Sequence, residues 1–171
     1  MSCRIRTSAA LKVLSLLSLL FPLTLFSQTK LASTSELALR AEIVAVGKVA
    51  SLISEWNENR SMIRTRVTLS VDQFVKGGHG SPTLTLYVPG GEVGAVGEVY
   101  SDMPTFRPDE EVVVFAERDV ENRYRVSGGP QGKLTVLRDK TTGVPMVAPG
   151  QTLEMLTSEV KQAVDVKIDK R

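Results

Sequence analysis

A mainly β protein is predicted, with five or six strands rolled into a small barrel, a short helix before them and an amphipathic helix after. Three features of the sequence carry that expectation. Apolar and polar residues alternate along Ile63–Gln73, as in a strand with one wet face. Glycine clusters at 77–80, 90–97 and 128–132 punctuate the apolar runs. The apolar period lengthens to between three and four only after Thr152. A β-sandwich would give the same signals, because periodicity does not encode strand order.

The chain opens with Arg4, Arg6 and Lys12, then the apolar run Val13–Phe26, then the small Ser27. A basic start, an apolar stretch and a small residue make a cleavable secretory signal over residues 1–27. The run is shorter than the roughly 20 residues a spanning helix needs, and Pro22 lies inside it. Leu25 is large for its place before the cut, so a cut after Ala32 is one alternative and an uncleaved anchor another. The mature chain is expected to be exported, periplasmic or secreted, with no transmembrane segment.

The whole chain carries 21 Lys+Arg and 19 Asp+Glu. Removal of the signal takes three bases and no acid, leaving a net charge of −1. The basic balance therefore belongs to the leader, and no nucleic-acid partner is expected. Cys3, the one cysteine, leaves with the signal, so the mature domain has no disulfide to rely on. Its 144 residues make one domain, of a size that buries about two-thirds of its unfolded surface.

Residues 28–34 read as a flexible N-terminus, 35–164 as the domain and 165–171 as a charged tail. Ser35 is placed to cap a short helix over Glu36–Ala41. Ile43–Ile53 is the first strand, and Gly47 inside it signals a bulge. Ser54–Ser61 reads as a hairpin loop. Along Met62–Val75, Ile63, Thr65, Val67, Leu69, Val71 and Gln73 share one face, and Arg64, Arg66, Thr68, Ser70 and Asp72 the other. Lys76–Pro82 is a glycine-rich turn, and Thr83–Val88 a third strand. Pro89–Met103 is too rich in glycine for a regular element and too long for a tight turn, which marks it as functional. In Glu110–Glu117, the continuous run Val112–Phe115 suits a strand covered on both faces. Two strands around Tyr124–Val126 and Leu134–Val136 flank Ser127–Gly132, and Val144–Val147 is a last short strand. Thr152 caps a helix whose Leu153, Leu156, Val160 and Val164 form one apolar stripe.

No residue set announces catalysis. The one histidine, His79, sits in a Gly-Gly-His-Gly turn and reads as a solvated turn residue, whereas catalytic zinc needs three ligands. Asp109–Glu110–Glu111 reads as a polar approach to a strand. Ser158 and Lys161, Ser101–Asp102 and Lys140–Gly143 imitate a serine–lysine acylase set, but in the wrong order and in too short a chain. Gly90, Gly91, Gly94 and Gly97 lack the following helix that a phosphate cradle requires. Spacing alone neither selects nor rejects a pair among the acids. The bases Arg64, Arg66, Lys76, Arg123 and Arg125 and the aromatics Tyr87, Phe106 and Tyr124 read as a solvated barrel face. Trp56, beside its hairpin loop, is either a lid on the core or an anchor for a partner.

The runs Ala41–Leu52, Ile63–Gly77 and Leu84–Gly91 resemble the opening strands of the netrin-like domain, the OB-type barrel shared with the tissue inhibitors of metalloproteinases. They are similar, more specifically, to exported bacterial proteins with a Pro-Gly-Gly loop, a Pro-x-Phe-x-x-Gly/Asp-Glu segment (here Pro104–Glu110) and a Gly-x-x-Gln-Gly-Lys segment (here Gly128–Lys133). The resemblance spans Leu37–Leu137 and implies an OB-like barrel. It implies no inhibitory residue, because the N-terminal cysteine that chelates the target's zinc is missing. The expected function is a non-enzymatic binding module for a protein or cell-envelope component, with no metal and no cofactor. Trp56, Gly90, Gly91 and Val96 are the expected partner contacts. The alternatives are a regulator or companion domain of an exported protease, by analogy with the same bacterial proteins, and a carboxylate-based hydrolase.

Overall fold

The computed structural model describes residues 32–78, 80–148 and 150–169. Residues 1–31 (which include the expected signal over 1–27), His79, Pro149 and the last two residues lie outside the described residues. The order of elements is α1 (Thr34–Arg40), β1 (Ile43–Trp56), β2 (Ile63–Lys76), β3 (Thr83–Pro89), β4 (Gly91–Val93), β5 (Val96–Glu98), β6 (Glu111–Arg118), β7 (Tyr124–Val126), β8 (Lys133–Thr135), β9 (Leu137–Arg138), β10 (Pro145–Ala148), β11 (Gln151–Thr152) and α2 (Leu153–Asp169). A one-turn 3-10 helix over Gly129–Gly132 separates β7 from β8. Among the described residues no helix is long and apolar enough to cross a membrane.

The main sheet has six strands in the order β3-β2-β1-β6-β7, with β8 also pairing with β6. All its pairings are antiparallel. Two small ribbons stand apart from it, β4–β5 and β11–β10–β9. The alternation along β2 has the expected outcome: Val67 and Leu69 are buried on the inner side. The run Val112–Phe115 is covered on both faces. Val112 and Val114 join the inner core with Val49, Leu69, Leu86 and Val126. Val113 and Phe115 join an outer core with Val44, Val46 and residues of both helices.

The expected barrel is not closed. β3 and β7 form no hydrogen-bonded ladder, so the inner core is enclosed by an open, curled sheet. The reason lies in the shortness of β7. After three residues the chain dives inward at Ser127, whose amide donates to the Phe115 carbonyl (2.7 Å) and whose hydroxyl donates to Glu117 (2.8 Å). The chain then turns through Gly128 and Gly129, both at positive φ, before it can run alongside β3.

Local signals account for most other elements. The β1–β2 register shifts at Val44/Ala45, Val46/Gly47 and Val49/Ser51. At Gly47 the strands approach so closely that a Cβ would stand 2.2 Å from the Ser70 carbonyl oxygen, so only glycine fits this bulge. The cap of α1 is Ser33 rather than Ser35. Ser33 and Glu36 form a reciprocal capping box, which satisfies two orphan amides at once. Thr152 caps α2 as expected, its hydroxyl accepting from the Met155 amide (3.1 Å). Leu156 and Val160 of α2 are fully buried, and the helix runs on to Asp169.

Candidate functional site

Pro89–Met103, expected to be irregular, contains the β4–β5 ribbon, which folds back over one end of the sheet. Its course follows from three residues. Pro89 ends β3 and has no amide to continue the ladder. Gly90 still donates to the Ile63 carbonyl (2.8 Å), but its own carbonyl accepts from the Thr65 hydroxyl (2.7 Å). Gly91, at φ +133°, passes so close to β1 and β2 that a Cβ would lie 2.3 Å from Ser54 Oγ and 2.4 Å from Thr65 Oγ1. No side chain can occupy that point, which is why the ribbon can lie on the sheet.

Glu98 holds the returning end. Its Oε2 accepts from the Ile63 amide (2.9 Å), which the Gly90 carbonyl has left without its ladder partner. The same oxygen accepts from the Tyr100 hydroxyl (3.2 Å). Partial desolvation, with this bond and the Glu98 charge, raises the Tyr100 hydroxyl above its ordinary range.

Between ribbon, sheet and the Met103–Phe106 strip lies a cleft of about 430 Å³. It is lined by the buried Val67 and Val88 and by the partly buried Leu52 and Phe106. Val99, 96% exposed, and Tyr100 stand on its lip. Gly91 lines the cleft, and Gly90 is the pivot of its rim. Val96 sits at the ribbon tip, half exposed and opposite Val93. Trp56 is half-buried at the end of β1, opposite Ile63, and does not line the cleft. Sequence reasoning missed Glu98, Tyr100 and Phe106 as parts of this site. An acid seven residues beyond a proline-glycine-glycine turn was the one available signal, and it has no meaning without the fold.

A second group is structural. The Pro104–Glu110 and Gly128–Lys133 segments meet: Lys133 Nζ donates to Glu110 Oε1 and to Thr135, and lies 5.4 Å from the Phe106 ring centre. The Thr135 hydroxyl donates to the same Glu110 oxygen (2.6 Å). Burial pushes the Glu110 carboxyl up, but the bonds from Lys133, Thr135 and the Arg107 amide, with the Lys133 charge, outweigh it and hold it below its ordinary value. Gln131 of the second segment accepts from the Ala32 amide (2.7 Å), tethering the chain before α1. The three acids at 109–111 diverge, Asp109 to Lys48 (2.9 Å), Glu110 to Lys133 and Glu111 to Arg138 (3.4 Å). Among the described residues no group of three or more His, Cys, Asp and Glu could hold a metal ion.

Of the basic and aromatic residues, Arg64, Arg66, Tyr87, Arg123, Tyr124 and Arg125 lie on or beside β2, β3 and β7, whereas Lys76 donates to the Ala38 and Ala41 carbonyls at α1 and Phe106 lines the cleft. Arg64 and Arg123 lie 5.0 and 5.3 Å from the Tyr87 ring centre. Each also has an acid, Glu55 for Arg64 and Asp119 and Glu121 for Arg123, while Arg125 pairs with Glu117. Among the described residues Arg66 has none, and its Nε is enclosed without a hydrogen-bond partner there. Compared with known protein families and with curated proteins, the chain matches none.

Proposed function

We propose that this protein is an exported, non-enzymatic binding module that takes a protein or cell-envelope partner into the cleft beneath the β4–β5 ribbon. The observation that carries this reading is the cleft itself. Leu52, Val88 and Phe106 border an opening rather than a closed core, and Val99 and Tyr100 extend the apolar surface outward at its lip. The acid nearest the opening that has a hydrogen-bonded role, Glu98, is engaged by Ile63 and Tyr100, which supports a structural rather than a catalytic part for it. The pairing of Arg64, Arg123 and Arg125 with carboxylates supports the absence of a nucleic-acid partner. The netrin-like kinship belongs to the same proposal, and the long β1–β2 hairpin ahead of a Pro-Gly-Gly turn supports it.

The test is affinity capture from the native exported fraction with tagged wild-type protein and the variant Val99→Asp. Val99 is almost fully exposed, so the substitution leaves the fold intact and puts a charge on the lip. A partner retained by wild type through moderate salt and lost by Val99→Asp is the expected result. Repeated captures with no partner, or one held equally by both proteins, would refute the reading.

A further inference from the structure

We infer that the partner binds as an added β-strand along the free edge of β1 between Leu52 and Trp56, with an acidic side chain over Arg66. The inference rests on the binding-module reading and names what the cleft receives.

β1 is longer than the strand that covers it. β6 pairs with Ile43–Lys48, and two further bonds join Val49 to Asp109 and Glu110. From Ser51 onward β1 has β2 on one side and, among the described residues, no strand on the other. The Asn57 amide donates to the Met62 carbonyl (2.9 Å), which fixes the alternation of the ladder. Ile53 and Glu55 therefore exchange bonds with Arg66 and Arg64, while Leu52, Ser54 and Trp56 turn their N–H and C=O groups to the free side. No bond to those groups occurs among the described residues. The segment lacks the usual guards of an edge: it contains no proline and no lysine, and the bulge at Val49/Ser51 precedes it.

Side chains select the occupant. Leu52 and Ser54 face inward and line the cleft, so a strand laid on this edge would send alternate side chains toward Phe106. On the outer face Ile53 is 45% exposed, and its cross-strand neighbour is Arg66. Arg66 is half-buried and, among the described residues, without an acid, unlike Arg64, Arg123 and Arg125. Two strand spacings, about 9.6 Å, separate Arg66 from the added strand, a span that an arginine and a glutamate side chain cover together across Ile53. The occupant is thus an extended segment, apolar on its inner side and acidic at one outer position.

The probe is an acetylated, amidated octapeptide of alternating valine and threonine, with one central threonine replaced by glutamate or by lysine. Amide exchange is read by NMR on the mature protein. In the free protein the amides of Leu52, Ser54 and Trp56 should exchange fast and those of Ile53 and Glu55 slowly. The glutamate peptide should bind at about 1 mM or below and slow exchange at Leu52, Ser54 and Trp56. The lysine peptide should bind roughly tenfold more weakly, and Arg66→Gln should erase that difference. Methylating the peptide's edge-facing amide nitrogens should abolish binding, a control that leaves the protein untouched. Ser54→Pro removes a donor that the β1–β2 ladder does not use, and should abolish binding while the melting temperature shows the fold retained. Protection of the three amides in the free protein, binding that leaves them unprotected, equal binding of the two peptides, or no binding at that concentration would each overturn the inference. A captured partner that depends on Val99 yet leaves the three amides exchanging would overturn strand addition alone, with the binding module standing.

Discussion

Replacing Lys133 with methionine should destabilise the protein by roughly 3–5 kcal/mol at neutral pH, the range for stranding one member of a buried ion pair. The side chains of Lys133 and Glu110 are only 11% and 13% exposed. Methionine keeps the packing against Phe106, so the change isolates the charge. The Glu110 carboxylate would be left with two neutral donors, the Thr135 hydroxyl and the Arg107 amide. Adding Glu110→Gln should restore stability to within about 1–2 kcal/mol of wild type, since the cost comes from the unpaired charge. Urea unfolding followed by the fluorescence of Trp56, the single tryptophan, measures all four members of the cycle. In the intact protein the Glu110 carboxyl is held low. Its contribution is therefore complete above the unfolded value of about 4.3 and is lost as the pH falls through the lower folded value. Without Lys133, its hydrogen bond and its charge no longer oppose burial, and the folded value moves upward. The variant therefore gains less stability than the intact protein as the pH climbs and Glu110 ionises. The gap between the two proteins should close on acidification. A loss below about 1 kcal/mol for Lys133→Met, the size of an exposed pair, or a gap that does not change with pH, would refute this account.

Three further outcomes follow from the geometry. Gly91→Ala places a Cβ against two hydroxyls at a φ of +133°, and should cost about 2–4 kcal/mol in chemical denaturation. Glu98→Ala removes the acceptor of the Ile63 amide; it should cost about 1–3 kcal/mol, with faster exchange at Ile63 and at ribbon amides than elsewhere. Ser33→Ala breaks the capping box of α1 and should lower stability by about 1 kcal/mol, whereas Ser33→Asp should retain most of it, as a thermal melt would show.

What was legible in the sequence was whatever short-range chemistry dictates. The alternation along β2, the two-faced run at Val112–Phe115, the glycine of the β1 bulge and the threonine cap of α2 are each decided within a few residues. The failure of the barrel to close was not, because it depends on β7 stopping after three residues against a β3 that precedes it by more than thirty. The ribbon was hidden for a similar reason. Its glycines signal irregular backbone by themselves, and they permit two strands only because Ser54 and Thr65 wait at contact distance. Lys133 and Glu110 are 23 residues apart and on separate elements, so their union is a product of the β6–β8 pairing. Arg66 looked like any base on a wet face. It became distinctive only when every neighbouring arginine proved to have an acid and it did not.

The helical cover on the outer face sets a timetable for synthesis. Val113 and Phe115 are shielded in part by Leu156 and Val160, and those residues follow in the chain by more than forty positions. At translation rates of about 5–20 residues per second, the apolar back of β6 emerges some seconds before the helix that shields it. During that interval the nascent chain carries a hydrophobic face together with the bare β1 edge. A holdase or a co-translational targeting factor would meet the chain at that stage, and a shift in its dwell time would be sensitive to substitutions in α2 that leave the finished protein's cleft unchanged.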